Sequence, residues 1–189
     1  MGHNLRVGSL GLGVLVSAGS AAARPAEEIR DRTPNVLLAD LGLHVLGVGL
    51  QRTLGPRLAV QLALDSYTPW TQNENLFGLS GARHEGDVTG AVVRGRFFFY
   101  PRAKPPTGLW LSPFAQVGPA WATVGDETRV GTVWAAGLSA GYGWLFSDVW
   151  NLGLGAGAQY HAADFDGGTD GPSYGRWYPT LDAIVGYCF

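Results

Sequence analysis

The stretch Trp177–Phe189, with the sequence WYPTLDAIVGYCF, alternates between two kinds of side chain. One face is apolar and aromatic, and consists of Leu181, Ala183, Val185, Tyr187 and Phe189. The other face is mostly small or polar, and consists of Thr180, Asp182, Ile184, Gly186 and Cys188. Because a period of two residues is that of a β-strand, the stretch predicts a strand with one apolar face.

The segment Val130–Ser147 is an uncharged run of 18 residues, which is long enough for a transmembrane helix. Its four glycines, however, all lie at odd-numbered positions: Gly131, Gly137, Gly141 and Gly143. A helix that turns 100° per residue would scatter these glycines around its circumference, whereas a strand collects them on one face. The pattern therefore favours a second amphipathic strand.

Aromatic residues recur at a fixed spacing in this segment and in the next one, Trp150–Ala162. Trp134 and Trp144 are ten residues apart, as are Trp150 and Tyr160. At roughly 3.4 Å per residue and about 40° of tilt, ten residues span about 26 Å along a membrane normal. This spacing predicts two aromatic girdles on either side of an apolar band.

Four earlier segments also read as strands: Leu43–Leu50, Arg57–Trp70, Asp87–Tyr100 and Leu109–Val124. In the last of them, Pro113 and Pro119 each remove a donor from the ladder and weaken the prediction. With the three strands described above, these segments make seven strands. Seven is odd, and an amino terminus in the periplasm requires an even number of strands. Asn35–Leu41 is the best candidate for the missing strand, and Asn4–Val16 is the alternative.

The first 23 residues have the composition of a secretory signal peptide. One arginine precedes an uncharged stretch that ends in Ala21, Ala22 and Ala23, which predicts cleavage after about Ala23. Removal of Arg6 leaves 12 of the 13 basic residues against 15 acidic ones, a net charge of −3. We therefore predict a signal peptide at 1–23, a short segment at 24–34 and a barrel at 35–189.

Composition excludes some classes of function. Charged residues make up only 15% of the chain and form no basic cluster, so nucleic acid binding is not expected. Cys188 is the single cysteine, which rules out an intrachain disulfide. The absence of a cysteine near Ala23 argues against a lipoprotein anchor.

Taken together, these patterns predict an all-β fold, an eight-stranded antiparallel up-and-down transmembrane β-barrel. If Phe189 ends in the periplasm, the longer connections lie outside the cell, and these are Thr71–Gly86, Gly125–Thr128 and Phe165–Arg176. The shorter turns then lie inside, as bacterial barrels require. We expect the protein in the bacterial outer membrane, in contact with its lipids and lipopolysaccharide.

The inward faces of the predicted strands carry several polar side chains at similar heights. They are Asp65, Arg94, Arg96, Gln116, Ser139 and Asp182. An eight-stranded barrel is just filled by its own side chains, so these residues predict a polar plug without an open pore. Asp65 and Arg94 lie on neighbouring strands and are expected to pair, because an uncompensated buried charge costs several kcal/mol.

Two features of the chain resemble known outer-membrane proteins. The end of the chain, with Tyr187 and Phe189, resembles their carboxy-terminal assembly signal, which implies recognition by the barrel-assembly machinery. The whole mature chain resembles the OmpW and OmpA-type families of small barrels, in the segments GLQRTLGPRLAVQL, YTPW, VVRGRFFFYP, SAGYGWLF and VGYCF. The OmpW resemblance implies passage of small apolar molecules.

A barrel enzyme that modifies lipid A is the catalytic alternative, and it would need a histidine, a serine and an acid near the outer leaflet. His161 points inward near the outer end of a strand, but no matching Ser/Glu spacing accompanies it, and His44 and His84 have no assigned place. We therefore predict no enzyme and no catalytic residues.

The acidic stretch DFDGGTDG departs from the order of ligands in an EF-hand, so no metal or cofactor is expected there. The stretch and the segment Thr71–Gly86 instead offer a surface for an extracellular partner.

A soluble lipocalin-like barrel is the remaining rival, but its interior would be lined by large apolar residues. Here most of the Trp, Leu and Phe side chains lie opposite the glycines.

Overall fold

The computed structural model describes residues 35–68, 88–124, 126–166 and 174–189. They form eight strands that close into one barrel, each strand antiparallel to its neighbours. The strands are β1 (Asn35–Gly42), β2 (Val45–Gly55), β3 (Leu58–Tyr67), β4 (Val88–Phe99), β5 (Gly108–Val124), β6 (Glu127–Phe146), β7 (Trp150–Phe165) and β8 (Tyr174–Cys188). The predicted fold is confirmed. Within the described residues, no helix is long and apolar enough to cross a membrane.

Strand β1 closes the barrel, because it pairs with β2 on one side and with β8 on the other. The chain turns at Leu43 and His44 and returns as β2, so Asn35–Leu41 supplies the strand that the odd count required. The signal peptide, the segment at 24–34, Asn4–Val16, the stretch 71–86 and His84 lie outside the described residues. The predictions made for them stay predictions.

Strand β6 is the longest strand, at 20 residues, and it includes nearly all of the run that also fitted a transmembrane helix. The turn that joins it to β7 has positive φ angles at Ser147 (48°) and Asp148 (63°), and the Val149 N–H donates to Phe146 O. Positive φ at both central residues is the geometry of tight hairpin turns, whose twist matches that of the flanking strands.

Strand β5 has 17 residues and pairs with β6 along its full length, so the predicted strand is present despite Pro113 and Pro119. The register between β4 and β5 instead runs in three separate segments, and each of the two gaps contains one proline. The interruption caused by Pro113 and Pro119 therefore falls on the β4 side only, and the ladder to β6 is intact.

The outward face of the barrel is an apolar belt bordered by aromatic side chains. Near one edge, the rings of Trp134, Tyr160 and Trp177 follow one another across β6, β7 and β8, with centroid distances of 5.6 Å and 5.8 Å. Near the other edge, the Trp150 and Tyr187 rings lie 5.4 Å apart. Trp144 belongs to this second row, with its ring 5.0 Å from that of Tyr142.

The two ends of the barrel differ, and we name them by their contents. The terminal end holds Asn35, Phe189 and the turns β2–β3, β4–β5 and β6–β7, and the loop end holds the turn β1–β2 and the other connections. Inward side chains form an apolar layer at each end. The terminal-end layer consists of Val36, Leu38, Ala59, Phe98, Tyr100, Trp110, Ile184 and Cys188. The loop-end layer consists of Val45, Tyr67, Val88, Val92, Ala120, Ala122, Val133, Ala163 and Phe165.

Candidate functional site

Between the two apolar layers lies a layer of polar and charged side chains, which we call the charged layer. It holds all six residues predicted for the lumen, Asp65, Arg94, Arg96, Gln116, Ser139 and Asp182, each at most 4% exposed. Five different strands supply them, and the pleat turns each side chain inward at alternate positions. The structure therefore brings together residues that are up to 117 positions apart in the sequence.

Arg94 lies at the centre of one half of the charged layer. Its Nε lies 3.2 Å from Asp65 Oδ2 in an ion pair, and Nε also donates to Gln116 Oε1 at 3.1 Å. Its Nη1 donates to both carboxylate oxygens of Asp40 at 3.3 Å and lies 3.7 Å from Asp182 Oδ1. The predicted pair of Asp65 and Arg94 is present, and it is part of a larger network.

Arg96 occupies the other half of the layer. Its Nη2 donates to Asp182 Oδ2 at 2.9 Å and to Ser139 Oγ at 2.7 Å, and its Nε donates to Ser112 Oγ at 3.2 Å.

Three aromatic rings surround the same guanidinium. Its Cζ lies 5.0 Å from the ring centroid of Phe98, 5.3 Å from that of Phe114 and 5.7 Å from that of Trp110. At such distances the negative faces of aromatic rings attract a cation, and the attraction grows when water is excluded. Arg96 therefore joins the charged layer to the terminal-end apolar layer.

Sequence reasoning missed several members of the charged layer, chiefly Asp40 and Gln61. Asp40 lies on β1, where the two faces had not been assigned, because apolar residues occupy both faces of this short strand. Gln61 donates from Nε2 to Asp40 Oδ2 at 2.7 Å. The inward aromatic residues near Arg96 were missed as well, because large apolar side chains were assigned to the outward face.

The buried charges of the described residues do not cancel. The layer holds three carboxylates, those of Asp40, Asp65 and Asp182, against the guanidinium groups of Arg94 and Arg96. Transfer of such groups out of water costs several kcal/mol per ion, and only close pairing and further hydrogen bonds offset that cost. Arg94 and Arg96 supply such pairs to all three carboxylates, so the network connects β1, β3, β4 and β8 across the lumen.

A second polar cluster lies closer to the loop end and contains His44, Tyr67, His161 and Tyr178. The Tyr67 hydroxyl and His161 Nε2 share a hydrogen bond of 2.7 Å, and the His44 ring lies 5.5 Å from that of His161. In the β1–β2 turn, burial and, to a smaller extent, the charge of Arg94 lower the pKa of His44 to about 4. This histidine is therefore neutral at neutral pH.

Aromatic rings lie around His161. The rings of Tyr67 and Tyr178 have their centroids 5.1 Å and 6.0 Å from that of His161. In the part of the chain that the structure describes, no group of three His, Cys, Asp or Glu residues is arranged to hold a metal ion.

Glycines on β6 and β7 make room for the terminal-end layer. A Cβ atom added at Gly141 or at Gly155 would overlap the ring of Trp110. The indole ring therefore lies directly against two strand backbones and closes that end of the lumen. These glycines thus accommodate the large inward side chain of Trp110, which lies on β5, the strand next to β6.

These features define a closed eight-stranded antiparallel barrel with an apolar exterior and a packed interior. A family model described as "Protein of unknown function (DUF3575)" matches residues 33–167. The chain belongs to this family. No curated protein matches the sequence.

Two solved structures align with this chain. The Neisserial surface protein A (NspA) aligns with a TM-score of 0.53 at 14% identity, over 83% of this chain and 98% of that one. The N-terminal β-barrel domain of Pseudomonas aeruginosa OprF aligns with a TM-score of 0.39 at 15% identity, over the same shares of the two chains. The likeness to the Neisserial protein extends to the whole barrel.

Proposed function

We propose that this chain is a bacterial outer-membrane barrel with a filled lumen, and that it acts as a structural element and as a scaffold for its outer loops. The exposed apolar belt carries this proposal. Side chains such as Val48, Leu62 and Leu64 are each more than 60% exposed, and comparable residues surround the barrel. Soluble monomers rarely expose apolar patches of more than a few hundred Å², whereas a lipid bilayer solvates such a belt.

The aromatic rows at the two edges of the belt support membrane insertion. Trp and Tyr side chains favour the interface between lipid and water, where an apolar ring and a polar tip are both accommodated. Trp177 is 70% exposed and belongs to one row, and Trp150 and Tyr187 belong to the other. Two such rows fit the two surfaces of a single bilayer.

The orientation is part of the proposal. Two of the described turns at the terminal end, β2–β3 and β6–β7, are short, and the predicted signal peptide would deliver the amino terminus to the periplasm. The outward side chains of Tyr187 and Phe189 are accessible for recognition by the barrel-assembly machinery. With the terminal end in the periplasm, the loop end meets lipopolysaccharide and any surface partner.

The lumen is proposed to be closed and non-catalytic. A conduit for small apolar molecules, which the OmpW resemblance implies, would have to cross the charged layer between β1, β4 and β8. An apolar solute makes no hydrogen bonds to replace the ones it would break there, so the crossing is costly. The tyrosines around His161 likewise favour a packing role over lipid A chemistry.

Membrane insertion is tested on protein refolded into detergent and into lipid vesicles. In gel electrophoresis, a folded barrel migrates differently before and after boiling. The fluorescence of its outward tryptophans is quenched by lipids that are brominated on the acyl chains. Replacement of Trp177 by Phe should remove part of that quenching, while replacement of the inward Trp110 by Phe should remove little. Absence of both the mobility shift and the quenching would refute the membrane barrel.

Closure of the lumen and the absence of catalysis are tested separately. In planar bilayers we expect no steady conductance, and a stable open channel in the wild-type protein would contradict the filled lumen. Mass spectra of lipid A from cells with and without the protein should be identical. A change in acylation that depends on His161 would favour the enzyme alternative.

A further inference from the structure

Three exposed arginines lie at the terminal end of the barrel: Arg52, Arg57 and Arg102. Arg52 is in β2, Arg57 is in the β2–β3 turn, and Arg102 is in the β4–β5 loop. We call this group the arginine rim. Neither the barrel fold nor the filled lumen requires these three charges, because none of the three side chains lies in the charged layer.

The arginine rim is gathered on one side of the barrel. Tyr100 N–H donates to Arg57 O at 2.8 Å, which holds the β2–β3 turn against the loop that carries Arg102. Arg52 lies opposite Val60 of β3 in the ladder. The three residues therefore border the adjacent strands β2, β3 and β4.

Arg52 also belongs to the outward apolar face. Its neighbours two residues away on the same face are Leu50 and Leu54, which are 47% and 59% exposed. A long arginine side chain placed there can lay its methylene groups along the apolar belt and extend its charge to the surface of the bilayer. The rim is thus continuous with the surface that contacts lipid.

The charge of the rim is unopposed among the described residues. No ion pair in that part of the chain engages Arg52, Arg57 or Arg102. Asp148 is the acidic side chain described at the terminal end, and it lies in the β6–β7 turn, on the other side of the closed barrel. The carboxylate of Phe189 lies beside Asn35 of β1, and no described ion pair joins it to the rim.

At the loop end, the described acidic side chains outnumber the basic ones. The acids are Asp126, Glu127, Asp164 and Asp166, and the bases are Arg129 and Arg176. Among the described residues, an excess of basic over acidic side chains is therefore found at the terminal end and not at the loop end.

We propose that the arginine rim binds the phosphate headgroup of an anionic phospholipid in the leaflet at the terminal end. The inference rests on the proposed function, which places that end at the periplasmic leaflet of the membrane. A guanidinium group presents several N–H donors that match the oxygens of a phosphate. Arg52 emerges from the apolar belt, so the anion that it meets is one anchored by acyl chains.

The size of the effect follows from the attraction of a basic side chain to an anionic membrane surface. Each arginine contributes roughly a five-fold increase in affinity. The rim as a whole therefore distinguishes an anionic headgroup from a zwitterionic one. Salt weakens the exposed contacts, and the contacts of Arg52 are the least affected because lipid covers its side chain.

The experiment uses folded protein in detergent micelles that contain equal amounts of phosphatidylglycerol and phosphatidylethanolamine. Native mass spectrometry counts the lipids retained by the barrel. Wild-type protein should prefer phosphatidylglycerol, Arg52→Gln should lower that preference roughly five-fold, and the triple Arg→Gln variant should abolish it. Arg129→Gln, which removes one charge at the loop end, is the matched control and should retain the preference.

Several outcomes would overturn the inference. Equal retention of both lipids by wild-type protein would do so, and so would a preference that survives in the triple variant. Displacement of phosphatidylglycerol by an equal concentration of inorganic phosphate would indicate a site for free phosphate instead. If the triple variant does not fold, the single variants carry the test. If the proposed membrane barrel itself is wrong, the wild-type protein will show no heat-modifiable mobility in gel electrophoresis. That result separates a failure of the proposed function from a failure of the lipid-binding inference.

Discussion

Nη2 of Arg96 on β4 lies 2.9 Å from Oδ2 of Asp182 on β8, although the two residues are 86 positions apart in the sequence. Strands β4 and β8 lie on opposite sides of the closed barrel, and β8 pairs with β1 where the sheet closes. The contact therefore crosses the interior and connects one wall of the barrel to the strand at its closing seam.

Asp182→Asn removes the carboxylate of this pair and keeps its shape. We expect the free energy of unfolding to fall by about 3–5 kcal/mol, because the buried Arg96 is left without a close counter-charge. Urea unfolding in lipid vesicles, followed by tryptophan fluorescence, measures the change. Asp148→Asn in the β6–β7 turn is the control and should stay within about 0.5 kcal/mol of wild type. Equal losses in the two variants would contradict the role of the pair.

Arg94 and Asp40 are expected to be energetically coupled. Arg94→Gln leaves the carboxylates of Asp40 and Asp65 together without their cation, so it should destabilise the barrel strongly. Addition of Asp40→Asn removes one of these two charges and should recover part of the loss, with a coupling free energy of about 1–3 kcal/mol. The same unfolding measurement on the two single variants and the double variant tests it, and simple additivity of the two losses would refute the pairing.

The hydrogen bond between Tyr67 and His161 is tested by removal of one hydroxyl group. Tyr67→Phe leaves His161 Nε2 without this partner in a buried place, and should cost about 1–3 kcal/mol. Tyr178→Phe is the matched control, because the Tyr178 hydroxyl makes no hydrogen bond among the described residues. The thermal transition of the unboiled band in gel electrophoresis compares the two variants. A larger effect at Tyr178 would contradict the assignment.

Gly155→Ala should destabilise the terminal end of the lumen. The added methyl group would overlap the Trp110 ring, and displacement of a packed indole ring costs about 1–3 kcal/mol. Gly95→Ala on β4 places its methyl group where no atom lies within 4 Å, and it should be well tolerated. The urea midpoints of the two variants give the comparison, and indistinguishable midpoints would show that the Trp110 ring is not tightly packed against β7.

The strands were predictable because their signal is local. Along β6, apolar side chains alternate with glycine or small residues, and this period is incompatible with a helix whatever the rest of the chain does. The same alternation assigned Asp65, Arg94, Arg96 and Asp182 to the inward face, where the structure places them.

The prolines of β5 show the limit of local reasoning. The N–H of a strand residue faces only one neighbouring strand, and here the gaps fall on the β4 side while the ladder to β6 is continuous. The sequence of β5 does not say which neighbour its donors face. The position of Asp40 was hidden for a similar reason, since β1 was recognised from the strand count and its faces had no independent signal.

By itself, the sequence determined seven strands and the two faces of most of them, because side-chain alternation depends only on neighbouring residues along the chain, and the strand count predicted the eighth strand. Only the tertiary structure decided that Arg94 reaches Asp40 as well as Asp65, that Arg96 crosses to Asp182, and that Trp110 lies against Gly141 and Gly155. Those contacts depend on the register of every pair of strands and on the tilt that closes the sheet. Register and closure are set by all eight strands together, so no single segment contains them.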